Sequence, residues 1–390
     1  QQQVWLDRLE VEHDNLRAAL RWLIDHDGVA AQEMSAALRE FWYTRGYFAE
    51  ARRLLDMALQ ASPAPHGARG QALLAAARLA HAQDDNATGL RLLEESLPLL
   101  RAGDDPAGYV EALRTGGWIA HSAGQSLRAQ AMFAEALTLS QALGADALTA
   151  DLHISIAQVY ALDGDEANFA TARGYFEEGL RIARQLNLRE SVAYALHGEA
   201  SLAFMAGDYA GAAQLAGEAL AMFRRLEFRR SVPLALLLLG EAALLAGDVA
   251  DAHCQALAAL AHFGELDIPW GVAAAERLAG QTAHDSGRLE EAATRLTASL
   301  ASATRLQDTK LTAMILADLG GVALAQQDPE RAARLLAAAH KLMDSLSRFL
   351  APGYRTRYAA YADAARTALG DMRFAEKWAA GQALPLSEAV

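Results

Sequence analysis

Leu239-Gly240-Glu241-Ala242-Ala243-Leu244-Leu245-Ala246-Gly247-Asp248-Val249-Ala250-Asp251-Ala252, continued to Ala259, carries the pattern that decides the fold. One apolar helical stretch runs up to a glycine turn and a second starts just after it. The small or acidic residue at the same place elsewhere is Gly46, Asp85, Gly124, Gly164, Gly207, Gly287, Gln327 and Gly370, so the nine turns, Gly247 included, follow at steps of 39, 39, 40, 43, 40, 40, 40 and 43. Two helical patterns per period predict an all-α solenoid of stacked hairpins, because a lone hairpin cannot cover its own apolar face. About nine hairpins are expected, with first helices near 70–83, 106–122, 146–162, 189–205, 230–245, 269–285, 309–325 and 353–369. Asp105-Pro106 and Asp328-Pro329, each an acidic cap ahead of a proline suited to the first helical turn, support two helix starts.

Ahead of the array, Trp5, Leu9, Leu16, Leu20, Leu23 and Ile24 predict one amphipathic helix over 4–26. Residues 1–28 are therefore read as a capping or connecting helix, 29–384 as the repeat array and 385–390 as a tail. The aromatic group Trp5, Trp22, Phe41, Trp42, Tyr43, Tyr47 and Phe48 is expected to cap the amino end, since a terminal repeat has no neighbour before it. The step of 43 between Gly164 and Gly207 is read as a longer turn, with three extra residues around Asp165 to Phe169.

Of the 390 residues 53% are apolar and only 7% aromatic, so the bulk is helix-forming alanine and leucine. The net charge of −13 repels phosphate backbones, and no direct nucleic-acid contact is expected. The basic cluster Arg224, Arg225, Arg229 and Arg230 is read as a solvated helix cap. The single cysteine, Cys254, excludes an internal disulfide. Pro233 to Leu239 is too short to cross a bilayer, so no membrane contact and a cytoplasmic setting are expected. The chain begins Gln1-Gln2-Gln3 without an initiator methionine, which points to a piece of something longer.

No Gly-Lys pair occurs, so a phosphate-cradling P-loop is excluded from this chain. No His-Glu-x-x-His, Gly-x-Ser-x-Gly or paired cysteines occur, and no cofactor or catalytic residue is expected. His253, Cys254 and His262 do not converge on one helical face as metal ligands would. Asp163-Gly164-Asp165-Glu166 starts like a calcium loop but has Gly174 at the twelfth position, and reads as a hairpin turn.

Five positions after the turn stand Ala51, Ala129, Ala212, Ala252, Ala292 and Ala332. Twelve after it stand Ala58, Ala136, Ala219, Ala259, Ser299 and Ala339, and seven before it Gly117, Gly240, Gly280 and Gly320. The pattern resembles the tetratricopeptide repeat, in which small residues let the two helices of a hairpin approach closely; the resemblance implies a right-handed superhelix. The Asp85 repeat fits it poorly. The lengthened period is similar to the sensor region of MalT-like regulators in the STAND class of signalling ATPases. Trp5-Leu6-Asp7-Arg8-Leu9-Glu10-Val11-Glu12-His13-Asp14-Asn15-Leu16 and Phe41-Trp42-Tyr43-Thr44-Arg45-Gly46-Tyr47 are similar to the segment that follows the nucleotide-binding module there. The resemblance implies a sensor controlling an upstream nucleotide-binding module.

In such an array the first helices line the concave face, at positions two, three, six, ten and thirteen before each turn. Those positions give Glu111, Arg114, Trp118, His121, Gln158, Tyr194, His197, Ser201, Glu241, Arg277, Gln281 and His284 as candidate groove residues, with Glu33, Glu40, Tyr43 and Asp151 beside them. A wall made only for packing would be alanine and leucine throughout, as at Leu234, Leu237 and Leu244. Aromatics with arginine and histidine are the types that anchor ligands. Trp118 and Phe204 fit core and groove equally. The expected ligand is a small-molecule or protein inducer; the alternative is a constitutive interaction scaffold that holds a fixed partner.

Overall fold

The computed structural model describes residues 2–162, 165–343 and 350–383; the turn residue Gly164, the Asp163-Gly164 part of the calcium-like stretch and the tail 385–390 lie outside them. Every element among the described residues is an α-helix. Two helices, α1 (Gln2–Val11) and α2 (His13–His26), precede the array. The first hairpin pairs α3 (Gly28–Ala37) and α4 (Arg39–Arg45) with α5 (Phe48–Ala61), and the second α6 (Gly67–Ala82) with α7 (Asn86–Ala102). Next come α8 (Pro106–Ser122) with α9 (Ser126–Ala142), α10 (Asp146–Leu162) with α11 (Glu166–Gln185), and α12 (Arg189–Met205) with α13 (Tyr209–Arg225). After these follow α14 (Ser231–Ala246) with α15 (Val249–Glu265), α16 (Pro269–Asp285) with α17 (Leu289–Arg305), and α18 (Thr309–Ala325) with α19 (Pro329–Met343). The last two are α20 (Pro352–Leu369) and α21 (Asp371–Ala383).

The small residues do what their spacing predicts. Ala51, Ala129, Ala212, Ala252, Ala292 and Ala332 are fully buried, as are Ala58, Ala136, Ala219 and Ala259. Seven before the turn, a Cβ on Gly117, Gly280 or Gly320 would lie 2.6, 2.7 or 2.8 Å from Phe133, Leu296 or Leu336, each nine positions after its turn. The large residue of the second helix thus sits in the notch that glycine leaves in the first. The turns themselves are left-handed at Gly46, Gly124, Gly207, Gly247 and Gly287, and also at Asp84 and Gln327.

Five expectations are corrected. In the second hairpin the left-handed residue is Asp84, φ 63°, while Asp85 caps α7 by accepting from the Thr88 N–H. Shifting the register by one places Gly89 and Ser96 at the small positions, which explains why this repeat reads poorly. The extra three residues before Gly207 extend a helix, not a turn: α11 has 20 residues where its counterparts α9 and α13 have 17. The amino-terminal helix breaks at Glu12, and Trp5 and Trp22 are exposed instead of capping, while Phe41, Trp42 and Phe48 are buried. Among the described residues eight hairpins stack, and α20 and α21 do not pair as a further one: α21 packs on α19, with Glu330 paired to Arg373 and Lys377 and the Lys341 ammonium on the Gln382 carbonyl.

The stack curls until its edges meet. The Arg229 N–H donates to the Thr44 carbonyl, the Arg230 guanidinium approaches the Ala82 carbonyl, and the Trp270 N–H donates to the Asp84 carboxylate at 3.1 Å. Arg45 pairs with Glu227, and one apolar cluster runs through the first two hairpins and on into α12–α16. Arg229 and Arg230 therefore do meet helix-end carbonyls, but those of α4 and α6, four to five hairpins earlier in the chain. At the far end the Gly353 N–H donates to the Tyr209 hydroxyl at 2.6 Å and Phe204 packs on Tyr354.

Gly280→Ala is expected to lower stability by about 1–3 kcal/mol, the range for forcing a methyl into a packed contact. Gly217→Ala, which faces open space on α13, should be neutral or gain up to about 1 kcal/mol of helix propensity. Thermal unfolding of both checks this; equal effects would contradict the notch packing.

Candidate functional site

Because the superhelix closes, six first helices converge on one interior. Glu40 and Tyr43 come from α4, Arg78 from α6, Glu111 and Arg114 from α8, Asp151 from α10, Glu190 and Tyr194 from α12, and Arg230 from just before α14. Arg78 pairs with Glu40, lies 4.0 Å from the Glu111 carboxylate and stacks 4.2 Å over the Tyr43 ring. Arg114 donates twice to Glu111, at 2.8 and 2.7 Å, in a bidentate pair. The Ser191 hydroxyl donates to Asp151 at 2.6 Å, and Gln158 donates to the Tyr194 carbonyl at 3.1 Å. Glu190 makes no hydrogen bond or ion pair among the described residues.

The carboxyls of Glu111, Asp151 and Glu190 are recessed from solvent, and burial acts on the proton affinity of each. Burial pushes the Glu190 carboxyl up to about 7, and the nearby Glu40 charge adds to the shift. Asp151 is raised by burial despite Arg114 and Ser191. Burial works the same way on Glu111, but Arg114 and Arg78 together hold it below the usual carboxylate value. His197 is lowered to about 4 by burial, so its ring is neutral at physiological pH.

The carboxy-terminal half of the wall is built differently. Arg277 and Gln281 are 2% and 1% exposed. The Arg277 guanidinium donates to Asp318 at 2.8 Å, to Glu241 at 3.2 Å and to the Tyr358 hydroxyl at 3.2 Å, and lies 4.7 Å over the Tyr354 ring. Gln281 donates to Asp318, and Tyr354 to Glu241. The Tyr361 hydroxyl approaches the His284 ring, and Arg357 makes a bidentate pair with Asp285. Four of the candidate residues thus meet α20 instead of an open groove.

The structure gathers Glu111, Arg114, Gln158 and Tyr194 in the first ring and Glu241, Arg277, Gln281 and His284 in the second. Trp118 sits edge-on to Phe133 and His121, near the turn end of α8. The Ser201 hydroxyl bonds back to the His197 carbonyl within its own helix. Sequence reading missed Arg78, Glu190, Arg230 as a wall residue, Asp318, and the tyrosines of α20. Arg78 stands six before Asp84 and would have been found with the correct turn register. Glu190 and Arg230 both stand seventeen before their turns, a periodic position that also holds Trp270, Lys310 and Gly353 and marks the superhelical edge. Among the described residues no group of three His, Cys, Asp or Glu side chains could hold a metal ion, and no helix is long and apolar enough to cross a membrane.

No protein-family model matches the chain, and no curated protein matches it in sequence. Its fold is similar to that of a Rap protein complexed with Competence and Sporulation Factor, at TM-score 0.56 and 13% identity over 90% of this chain and 99% of that one. It is similar also to a STAND protein with a tetratricopeptide repeat sensor from Pyrococcus horikoshii, at TM-score 0.54 and 14% identity over 85% of this chain; the match spans 52% of that protein's chain. NprR in complex with its cognate peptide NprX gives TM-score 0.52 and 14% identity over 84% of this chain and 96% of that one. At these identities the likeness shows the fold: an all-α superhelical solenoid of tetratricopeptide type.

Glu190 gives the ring a pH signature. Between its unfolded value, roughly 4.3, and about 7, the folded chain keeps a proton that the unfolded chain has released, so stability falls as pH rises through that window. Glu190→Gln should therefore stabilise the chain by about 1–2 kcal/mol at pH 8, after allowance for groove water, and leave it unchanged at pH 4. Denaturant melts at the two pH values check this; an equal gain at both would show that the carboxylate is not held in the ring.

Proposed function

We propose that the chain is the ligand-sensing arm of a signalling protein, binding an inducer or partner on the concave wall and thereby controlling a nucleotide-binding module encoded upstream. The observation that carries this reading is the ring of Arg78, Arg114, Glu40, Asp151 and Glu190, the last without an ion-pair partner among the described residues. Stacking of hairpins requires none of these charges, and their desolvation works against the fold, so a wall selected only for stability would carry alanine and leucine. A ligand bearing complementary charge compensates that cost. Two of the similar structures hold a bound factor or cognate peptide, and a third carries its repeats as a sensor, which supports the same use of the same fold here.

Signalling needs the ligand to prefer one curvature of the superhelix over another, and a preference of about 1–3 kcal/mol is typical of such coupling. The contacts of Arg229, Arg230 and Trp270 with the first two hairpins are where curvature is set, and they border the ring. In this reading the chain binds and does not catalyse.

A displayed peptide library selected against the chain tests this. Enriched binders should lose at least tenfold in affinity on Arg114→Ala, a buried charge-pair partner, and small-angle scattering should report a changed radius of gyration on binding. Binders indifferent to Arg114 would remove the groove reading, and an unchanged radius would make the chain a scaffold instead of a sensor.

A further inference from the structure

α20 stands where a first helix of the array would be and packs on α18 and α19, but no second helix folds back on it. Of its 18 residues only Tyr354, Tyr358 and Ala365 are buried, whereas α18 buries 13 of 17. The helix that should pair with it, α21, lies on α19, where a Cβ on Gly381 would run into the Arg334 backbone. α20 therefore lacks a hairpin partner; besides packing on α19, its side chains reach across the concave face to α14 at Glu241, to α16 at Arg277, Gln281 and Asp285, and to α18 at Gly321 and the Met314 carbonyl.

The contact face of α20 is one stripe: Tyr354, Arg357, Tyr358, Tyr361 and Ala365, spaced as i, i+3, i+4, i+7 and i+11. Its other side, Arg355, Thr356, Ala359, Ala360, Asp363, Ala364 and Thr367, faces solvent. A helix held by one amphipathic stripe in the groove of another protein has this form. The anchoring residues on the wall, Glu241, Arg277, Gln281 and His284, are those that position along the repeat marks as groove residues. Most of their polar groups are satisfied by tyrosine hydroxyls and by Asp318.

We infer that α20 is a built-in occupant of a helix-binding groove over α14, α16 and α18, and that the groove's external partner is an amphipathic helix bearing the same tyrosine-and-arginine stripe, which displaces it. The inference rests on reading the concave wall as a binding surface and specifies the occupant of its second half. Tethered at both ends, α20 competes at an effective concentration on the order of millimolar, so a free helix binds weakly until α20 leaves.

The test uses the full chain and a labelled peptide of residues 352–369. Tyr354→Ala/Tyr358→Ala removes the docking stripe of α20 but leaves the wall intact, and this variant should bind the peptide at least tenfold more tightly than the native chain. Equal affinity for the two chains, or no binding to a variant that keeps its helicity, overturns the inference. Native-state hydrogen exchange needs no variant: amides of α20 should exchange at least a hundredfold faster than those of α16 and α18, and equal protection overturns it. A native chain that sediments as a dimer would assign the face to a second copy and equally overturn the partner assignment. Peptide binding here together with library binders indifferent to Arg114 would leave this groove standing and remove the amino-terminal ring as a ligand site.

Discussion

The contact on which the rest depends is the meeting of superhelical edges, where the start of one first helix touches a hairpin turn four to five repeats earlier. Arg230, Trp270 and Gly353 occupy the same repeat position and reach the Ala82 carbonyl, the Asp84 carboxylate and the Tyr209 hydroxyl. Each such hydrogen bond contributes about 0.5–1.5 kcal/mol, and the apolar cluster shared by the first two hairpins with α12–α16 adds burial to them. An open arc of the same hairpins would leave Glu40 and Glu190 on distant walls. Closure is what turns a row of first helices into an enclosed ring, and it is also what burial of the ring's charges works against.

That opposition gives the wall its character. A buried guanidinium such as Arg277 is stable only because Asp318 and Glu241 surround it, and a network of this kind adds less to stability than to geometric specificity. In the amino-terminal ring the balance is left incomplete at Glu190, which repels Glu40 and has no hydrogen-bond donor among the described residues. In the carboxy-terminal half it is completed by the tyrosines of α20. One wall thus shows the same surface in two conditions, with and without a helix lying on it.

The hairpin stack was legible in the sequence because its physics is local and periodic: a left-handed turn, alanine five and twelve positions on, and a glycine notch seven before. Where a non-glycine residue took the left-handed turn, at Asp84, the register slipped by one and hid Arg78. The three extra residues were counted correctly but assigned to a turn instead of α11, since a helix accommodates nearly one more turn without altering any turn residue. The edge contacts and the departure of α21 onto α19 were not legible, because both arise from packing between hairpins and leave no pattern within one. Even so, Arg230 and Trp270 share a repeat offset, and a position that is charged or aromatic only in later repeats is the trace that closure leaves.

Spin labels at Ala87→Cys and Glu265→Cys, in a chain whose exposed Cys254 is replaced by serine, measure the closure directly by pulsed electron resonance. A closed superhelix predicts one narrow distance distribution, well below the roughly 40 Å that four to five open hairpins with helix axes about 8–10 Å apart would impose. A broad distribution, or one centred at that longer separation, would contradict it and leave the enclosed ring without its frame.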